Sequence, residues 1–358
     1  IIGEGETTFL HILNKYNNHQ DAEFDKKFPS GSYATKNEKG EINIVKGGCN
    51  FINLSDLPMP AWNYLNIEDY FKKSGDSALP TEGSRGCPYR CYYCTTFLFW
   101  GGQIRYKPVE NLIKEILEIK KRYNGVKTLY FTDDNLSFSK DWIKDFLTRI
   151  INMKLPLELK VLNFSVKHLD EEIVSLLIEA GMSKFAIAVE SGSPEMQKRI
   201  NKFLNFDKVR EVVKMMKSHG VHVSICWMVG FPNETMAQIN STFSFARELK
   251  ANWNQFATVL PYPGTQMFDE AKSADLLVFP EDNLDKFDNR RCDYLKSDQW
   301  NYNQLQAIIY DANIEMNFLN NPSLETADGR DELLKFFKDF SLAMPEHIIL
   351  HLVMGHIY

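Results

Sequence analysis

Between residue 79 and about residue 275, short β-rich runs alternate with amphipathic helical patterns, and that alternation admits few folds. Strand signals fall at residues 129–132, 159–166, 184–189, 221–229 and 256–260, with a first strand near 79–83. Between them the periodicity predicts helices over 108–122, 139–153, 170–180, 207–218 and 234–249, each opening near a Pro, Ser, Asp or Glu suited to a first turn. In the first of these, Val109, Leu112, Ile113, Ile116 and Leu117 share one stripe. Strands separated by a helix run parallel. Six of them curl into a partial or closed (βα)6-type TIM-like barrel, an α/β fold whose chemistry belongs at the C-terminal ends of the strands.

The flanks read differently. Residues 1–78 hold the acidic glycine turn Gly3-Glu4-Gly5-Glu6 before a helix start at Phe9, Leu10, Ile12 and Leu13, an alternating strand signal at Glu41-Ile-Asn-Ile-Val45, and the stiff linker Leu57-Pro-Met-Pro60. Residues 79–275 are the barrel. Residues 276–358 break its rhythm with a charged stretch at 282–298 and helical patterns over 304–319 and 332–340, which predict a mainly helical cap. Near the end, His347, His351 and His356 share a helical face but lack the glutamate of a zinc-protease helix, so a packing or surface role is expected.

No apolar run approaches the ~18 residues of a membrane span, and neither a basic n-region nor a small-residue cleavage site opens the chain. A soluble cytoplasmic protein is expected. The net charge of −6 disfavours a large nucleic-acid face. Six cysteines are too few and too unevenly spread for a secreted disulfide scaffold. Cys49, Cys226 and Cys292 stand singly, and Cys226 lies within a strand pattern as a small buried hydrophobe would.

The other three crowd into Gly86-Cys87-Pro-Tyr-Arg-Cys91-Tyr-Tyr-Cys94, directly after the first strand. Thiolates select zinc, copper(I) or iron-sulfur clusters, and structural zinc wants four ligands, often from paired CxxC knuckles. No matching second pair exists here. Three thiolates on a 4Fe-4S cube would leave one iron open, as catalytic metal sites are open. Tyr89, Tyr92, Tyr93, Phe97, Phe99 and Trp100 mass around the loop, where they would keep water from a cluster.

CxxxCxxC with an aromatic before its last cysteine resembles the radical S-adenosylmethionine superfamily. The resemblance implies a 4Fe-4S cluster on Cys87, Cys91 and Cys94 whose open iron is chelated by the amine and carboxylate of S-adenosyl-L-methionine. The reduced cluster would cleave the sulfonium to a 5'-deoxyadenosyl radical that abstracts hydrogen from a substrate. Tyr130-Phe-Thr-Asp-Asp-Asn135, at the second strand's end, is similar to the family's site for the methionyl amine. Asp133-Asp134 stands there in place of Gly-Gly-Glu, and Asp133 is assigned. Ala188-Val-Glu190-Ser191-Gly192-Ser193 resembles the element that contacts ribose and the methionyl part, which implicates Glu190 and Ser191. Val229-Gly230-Phe-Pro-Asn-Glu234-Thr235 resembles the glycine-proline element along adenine, with Met228 against the base, and Leu260-Pro-Tyr-Pro-Gly-Thr265 its closing turn. Tyr93 would contact the cofactor through its backbone. One of Lys198, Arg199 and Lys202 is a candidate to pair with a cofactor carboxylate, but an exposed helix face is the plainer reading, and Lys167 and His168 are structural by default.

The turn at residue 3 and Asp56-Leu-Pro-Met-Pro60-Ala-Trp62 look like the junction that follows a cobalamin-binding domain in one subclass of this superfamily. Residues 1–78 would then be the tail end of such a domain plus linker. Cobalamin would bind only with that upstream domain, since no Asp-x-His-x-x-Gly motif is present. In the full-length protein the subclass implies cobalamin-dependent methylation of a small molecule or peptide, with a reductant such as flavodoxin or ferredoxin. Two rivals remain. Methylthiotransferase-like sulfur insertion needs a second cluster, yet no cysteine triad precedes Cys87. A non-catalytic metal knuckle leaves the βα architecture and the three-ligand count unexplained.

Overall fold

The computed structural model describes residues 4–17, 33–36, 39–45, 51–75, 77–279, 293–343 and 345–357. Cys49, Cys292, Gly3 and most of the charged stretch at 282–298 lie outside the described residues. Six parallel strands form the centre: β1 (Ala78–Thr81), β2 (Thr128–Phe131), β3 (Glu158–Phe164), β4 (Met182–Glu190), β5 (His222–Val229) and β6 (Trp253–Thr258). They lie side by side in chain order, so β1 and β6 are both edges and the barrel is open rather than closed.

Helices α1 (Val109–Arg122), α2 (Lys140–Met153), α3 (Glu171–Glu179), α4 (Phe206–Ser218) and α5 (Met236–Leu249) connect successive strands. Strand side chains alternate between faces, and one face is apolar throughout. Leu129, Phe131, Leu159, Val161, Phe185, Ile187, Ile225 and Trp227 are buried there in one cluster with Leu112, Ile116, Phe146, Leu147, Ile173, Leu177, Val213 and Ile239 of the helices. Each such burial contributes roughly 1.5–3 kcal/mol. The opposite face carries Tyr130, Lys160, Ala188, Ser224, Cys226, Met228 and Gln255, all half-buried or exposed.

Caps set the helix starts. Ser139 and Asp170 cap α2 and α3 as their sequence positions suggest. The fourth and fifth starts differ from expectation. Asn205 caps α4 by accepting from the N–H groups of Asp207 and Lys208, and Thr235 caps α5 in a reciprocal capping box with Gln238. Glu234 does not start α5 because its carboxylate turns back to the N–H groups of Gly230 and Phe231, 2.6 and 3.1 Å away.

β1 stops at Thr81 instead of running to Gly83. The chain there turns into a two-stranded antiparallel ribbon, Ser84–Gly86 with Ile104–Tyr106, that brackets the cysteine segment. Gly86 lies at φ +98°, and a Cβ on it would stand 2.1 Å from the Gln103 carbonyl oxygen, so only glycine fits. The helix Glu6–Asn17 follows the acidic turn, and Glu4 reaches from that turn to Arg85 and Arg105 of the ribbon, 3.0 and 2.7 Å away.

Beyond β6 come α6 (Gln266–Ser273), α7 (Tyr302–Ile314), a π-helical turn Glu315–Leu319, α8 (Ala327–Ala343) and α9 (Ile348–Ile357). α7 and its π turn cover the β6 edge through three asparagines. Asn313 bonds both backbone groups of Phe256, Asn317 both of Asn254, and Asn321 the carbonyl of Asn252. Four helical residues rise about 6 Å and two strand residues about 6.6 Å, so every fourth helix position can meet every second strand position. The amides stand where a seventh strand would, which protects the edge. His347 accepts from the Leu350 N–H and His351 donates to the Pro345 carbonyl, so both histidines serve the start of α9. Among the described residues no helix is long and apolar enough to cross a membrane.

Candidate functional site

The C-terminal ends of β2, β3 and β4 and the cysteine segment enclose a cavity of about 200 Å³. Cys87, Cys91 and Cys94 all line it. Strand ends place the facing groups: Asp134 and Asn135 after β2, Phe164 to Lys167 at the end of β3, Ala188 and Glu190 on β4. Lys202 and Leu204 complete the wall beyond the short helix Pro194–Arg199.

The thiols are half-buried and unbridged. Burial pushes the Cys87 thiol above its ordinary pKa, although the Tyr89 N–H and the Asn135 amide, which donates to its sulfur at 3.7 Å, act the other way. Burial raises Cys91 too, against the opposing pull of Lys202. Iron taken up here would therefore displace thiol protons. Among the described residues, no group of three or more His, Cys, Asp or Glu side chains converges on a single-ion position. A lone zinc needs sulfurs about 2.3 Å from one point. A cube takes one thiolate at each of three corners, and three cysteines lining one cavity suit it in number and chemistry.

Glu190 ends β4 with φ +71°, a left-handed conformation unusual outside glycine, at a shift in the β4–β5 register. Its side chain is buried and accepts from the Tyr93 hydroxyl at 2.8 Å and the Lys202 ammonium at 3.2 Å. Burial raises the Tyr93 phenol far above its ordinary pKa, with Glu190 adding to the effect. Burial pulls Lys202 down, yet Glu190 and Cys91 beside it outweigh burial and hold its pKa above the ordinary value. Lys202 is thus part of the cavity wall rather than of an exposed helix face, whereas Arg199 pairs with Glu270 away from the cavity.

Three of the expected cofactor contacts stand elsewhere. Asp133 is buried outside the cavity, where it accepts from the N–H groups of Gly83 and Ser84 and from the Ser84 hydroxyl. It holds the turn into the ribbon, and burial pushes its carboxyl up to about 7. Its neighbour Asp134 lines the cavity and accepts from the Gly86 N–H and the Thr96 hydroxyl. Ser191 is fully buried against Thr242 of α5, 3.2 Å away, and braces the Ser193 N–H. Gly192 approaches α5 rather than a ligand: a Cβ there would meet Ser241 O and Thr242 Cα at 2.8 Å. Met228 lies on the open face of β5 beside Ala257, outside the cavity lining. Tyr93 lines the cavity, and its side-chain hydroxyl donates to Glu190.

The aromatic mass around the loop divides. Tyr89 and Tyr93 line the cavity, Tyr92 is buried with its hydroxyl 2.7 Å from Glu270, and Phe99 is exposed. Sequence alone assigns Asn135 no role of its own, leaves Lys167 structural, and counts Tyr89 only among the aromatics that keep water from the loop. The usable signal was position, since Asn135 and Lys167 follow the second and third strands just as Glu190 ends the fourth.

A family model described as the radical SAM superfamily matches residues 81–246, a span that contains all three cysteines, Glu190 and Lys202. An uncharacterised methyltransferase of Pyrococcus horikoshii is 28% identical over 276 residues, covering 77% of this chain and 58% of that protein. Cytidylyl-2-hydroxyethylphosphonate methyltransferase of Streptomyces wedmorensis is 27% identical over 64% of this chain and 46% of its own length. The chain thus spans about half the length of these relatives. Among solved structures, the cobalamin-dependent S-adenosylmethionine radical enzyme OxsB, with aqua-cobalamin and S-adenosylmethionine bound, superimposes with a TM-score of 0.67 at 16% identity over 98% of this chain and 55% of that one. The radical S-adenosylmethionine methyltransferase TsrM of Kitasatospora setae, with cobalamin and a 4Fe-4S cluster bound, does so at 0.63 and 17% identity over 76% and 53%. These likenesses establish the fold, an open βα barrel.

Proposed function

We propose that this chain, whose residues 81–246 match the radical SAM superfamily model, is the catalytic barrel of a radical S-adenosylmethionine methyltransferase. The observation that carries the reading is the single cavity shared by Cys87, Cys91, Cys94 and the Tyr93–Glu190–Lys202 group. The three thiols would hold a 4Fe-4S cluster. With S-adenosylmethionine, that cluster supplies one-electron cleavage of the sulfonium and a radical able to take hydrogen from carbon.

The chain's own groups bind and orient. Glu190 offers an acceptor to ribose hydroxyls, and Tyr93 and Lys202 hold its carboxylate in place. Lys202 also presents a cation to a carboxylate. Asp134 and Asn135 line the cavity while Asp133 does not, and they would offer acceptors to an amine. Tyr89, Tyr93 and Phe164 exclude water, and Asn135 adds a hydrogen bond to Cys87 sulfur that tunes the thiolate.

Methyl transfer is the preferred reaction because both curated relatives described above are methyltransferases by name. The cobalamin named for the two solved neighbours supports a cobalamin-dependent reaction in the full-length protein, with residues 1–78 as the end of a cobalamin domain plus linker and 276–358 as a separate cap. A flavodoxin or ferredoxin of the cytoplasm would supply the electron.

Anaerobic reconstitution with iron and sulfide tests the reading. The expected outcome is a 4Fe-4S spectrum that changes on adding S-adenosylmethionine, 5'-deoxyadenosine formation under dithionite, and loss of both in Cys91→Ala. Stoichiometric colourless zinc, or a cluster indifferent to S-adenosylmethionine, overturns it.

A further inference from the structure

Glu190 and Lys202 stand on turns of left-handed backbone that residues other than glycine rarely adopt, and one buried side chain holds both turns. Glu190 lies at φ +71°, and the Ser191 N–H donates across it to the Val189 carbonyl at 3.0 Å, which closes a three-residue γ-turn of the rare, strained kind. Lys202 is flanked by Asn201 at φ +59° and Phe203 at φ +50°. Such conformations carry a steric cost and persist only where their surroundings fix them. Gln197, on the short helix Pro194–Arg199, is 3% exposed. Its side-chain amide donates to the carbonyls of Val189 and Ser191, the two ends of the γ-turn, at 2.8 and 2.6 Å. The amide oxygen accepts from the Leu204 N–H at 3.2 Å. Its backbone carbonyl accepts from the N–H groups of Lys202 and Phe203 at 3.0 and 3.2 Å.

Both donors and the acceptor of the amide are thus engaged, and only one orientation of the group serves them, since a flipped amide would set its oxygen against two carbonyls. Gln197 is absent from the cavity wall. Yet the two residues whose backbone it holds meet inside the cavity, where Lys202 Nζ stands 3.2 Å from Glu190 Oε1. A charge pair presents a defined face to a ligand only if both partners keep their direction, and a buried, fully satisfied amide fixes direction where packing alone leaves play. We propose that Gln197 is the positioning residue of this site: it holds the γ-turn under Glu190 and the turn around Lys202 in one frame, and so sets the geometry that the pair offers to the cofactor. The last step rests on the radical S-adenosylmethionine reading of the site; the hold on the pair does not.

Gln197→Met keeps length and bulk and removes all three side-chain hydrogen bonds. In iron-free protein, the coupling between Glu190 and Lys202 is read from urea denaturation of the Glu190→Gln and Lys202→Met single and double variants, first in the wild-type chain and again in Gln197→Met. The coupling should fall by at least half. A side chain that only filled the core would lower the stability of all four chains alike and leave the coupling where it was. In reconstituted protein, Gln197→Met should take up iron as wild type does and show the wild-type cluster spectrum, while the dissociation constant of S-adenosylmethionine rises about tenfold, as loss of a well-directed charged hydrogen bond does. Where Gln197→Met does not fold, Gln197→Asn, which keeps the amide but is one methylene too short to reach, decides by the same readings. An unchanged coupling overturns the assignment. So does a loss of iron uptake in the variant, which would make Gln197 a support of the cysteine segment instead. A fallen coupling with unchanged S-adenosylmethionine affinity upholds Gln197 and overturns the placing of the pair against the cofactor, as does a wild type that binds no S-adenosylmethionine.

Discussion

Replacing Lys202 with methionine tests whether Glu190 is held by a true buried pair. The substitution keeps most of the aliphatic stem and removes the ammonium 3.2 Å from Glu190 Oε1, which leaves a buried carboxylate with the Tyr93 hydroxyl as its remaining named donor. Breaking a fully buried pair from one side costs about 3–5 kcal/mol. The Lys202 side chain is 19% exposed, so water can reach part of the gap, and the expected loss falls to about 2–3 kcal/mol. Glu190→Gln keeps the shape and removes the charge, and should cost about 1–2 kcal/mol by leaving the ammonium opposite a neutral amide. The double variant should then be more stable than the sum of the two losses implies, by at least about 1 kcal/mol. Urea denaturation of the iron-free protein, with midpoint and slope fitted together, measures all three. Losses that add to within about 0.5 kcal/mol would show that the two groups do not sense each other, and the reasoning about the cavity wall would be refuted.

Asn317→Ala should strand both backbone groups of Asn254, at 2.7 and 2.6 Å from the lost amide, and cost about 2–5 kcal/mol by the same assay; a loss under about 0.5 kcal/mol would remove the asparagine edge from the stability account. Gly192→Ala should lower stability by at least about 1–3 kcal/mol in a thermal melt, because the new methyl meets α5 backbone at 2.8 Å; an unchanged melting temperature would show that the loop yields freely. Burial pushes both Asp133 and Glu234 up to about 7, above their unfolded range near roughly 4, so the folded state holds their protons more tightly. Stability should therefore be greatest below roughly pH 4 as far as these two groups are concerned, and fall as pH rises through the window up to about 7. Asp133→Asn with Glu234→Gln should flatten that slope in chemical denaturation across pH, and an unchanged slope would count against the raised values.

The βα rhythm was legible because its two ingredients are local. Alternation by two and by 3.6 is written along the chain, and the buried faces of β2 to β5 and of α1 to α5 follow it. The cysteine triplet was legible for the same reason, since its spacing needs no fold to be seen. Boundaries moved where a side chain found a distant partner, as when Glu234 turned to Gly230 and left the cap of α5 to Thr235. The ribbon around the cysteine segment was not visible, because Ser84–Gly86 and Ile104–Tyr106 are three residues each and pair only once brought together.

Sequence by itself determined the parallel βα core, the one loop that can carry three thiolates, and the strand ends from which the facing groups come. Tertiary structure alone decided which of the neighbouring candidates turns toward the thiols: Asp134 and not Asp133, Glu190 and not Ser191, Lys202 and Lys167 but not Arg199. The physical reason is that spacing constrains which face a residue takes only while the chain stays in a regular element. Past a strand end, direction is set by whichever buried donor or acceptor most needs a partner, and those partners lie far away in the chain, as Ser84 does from Asp133 and Thr242 from Ser191.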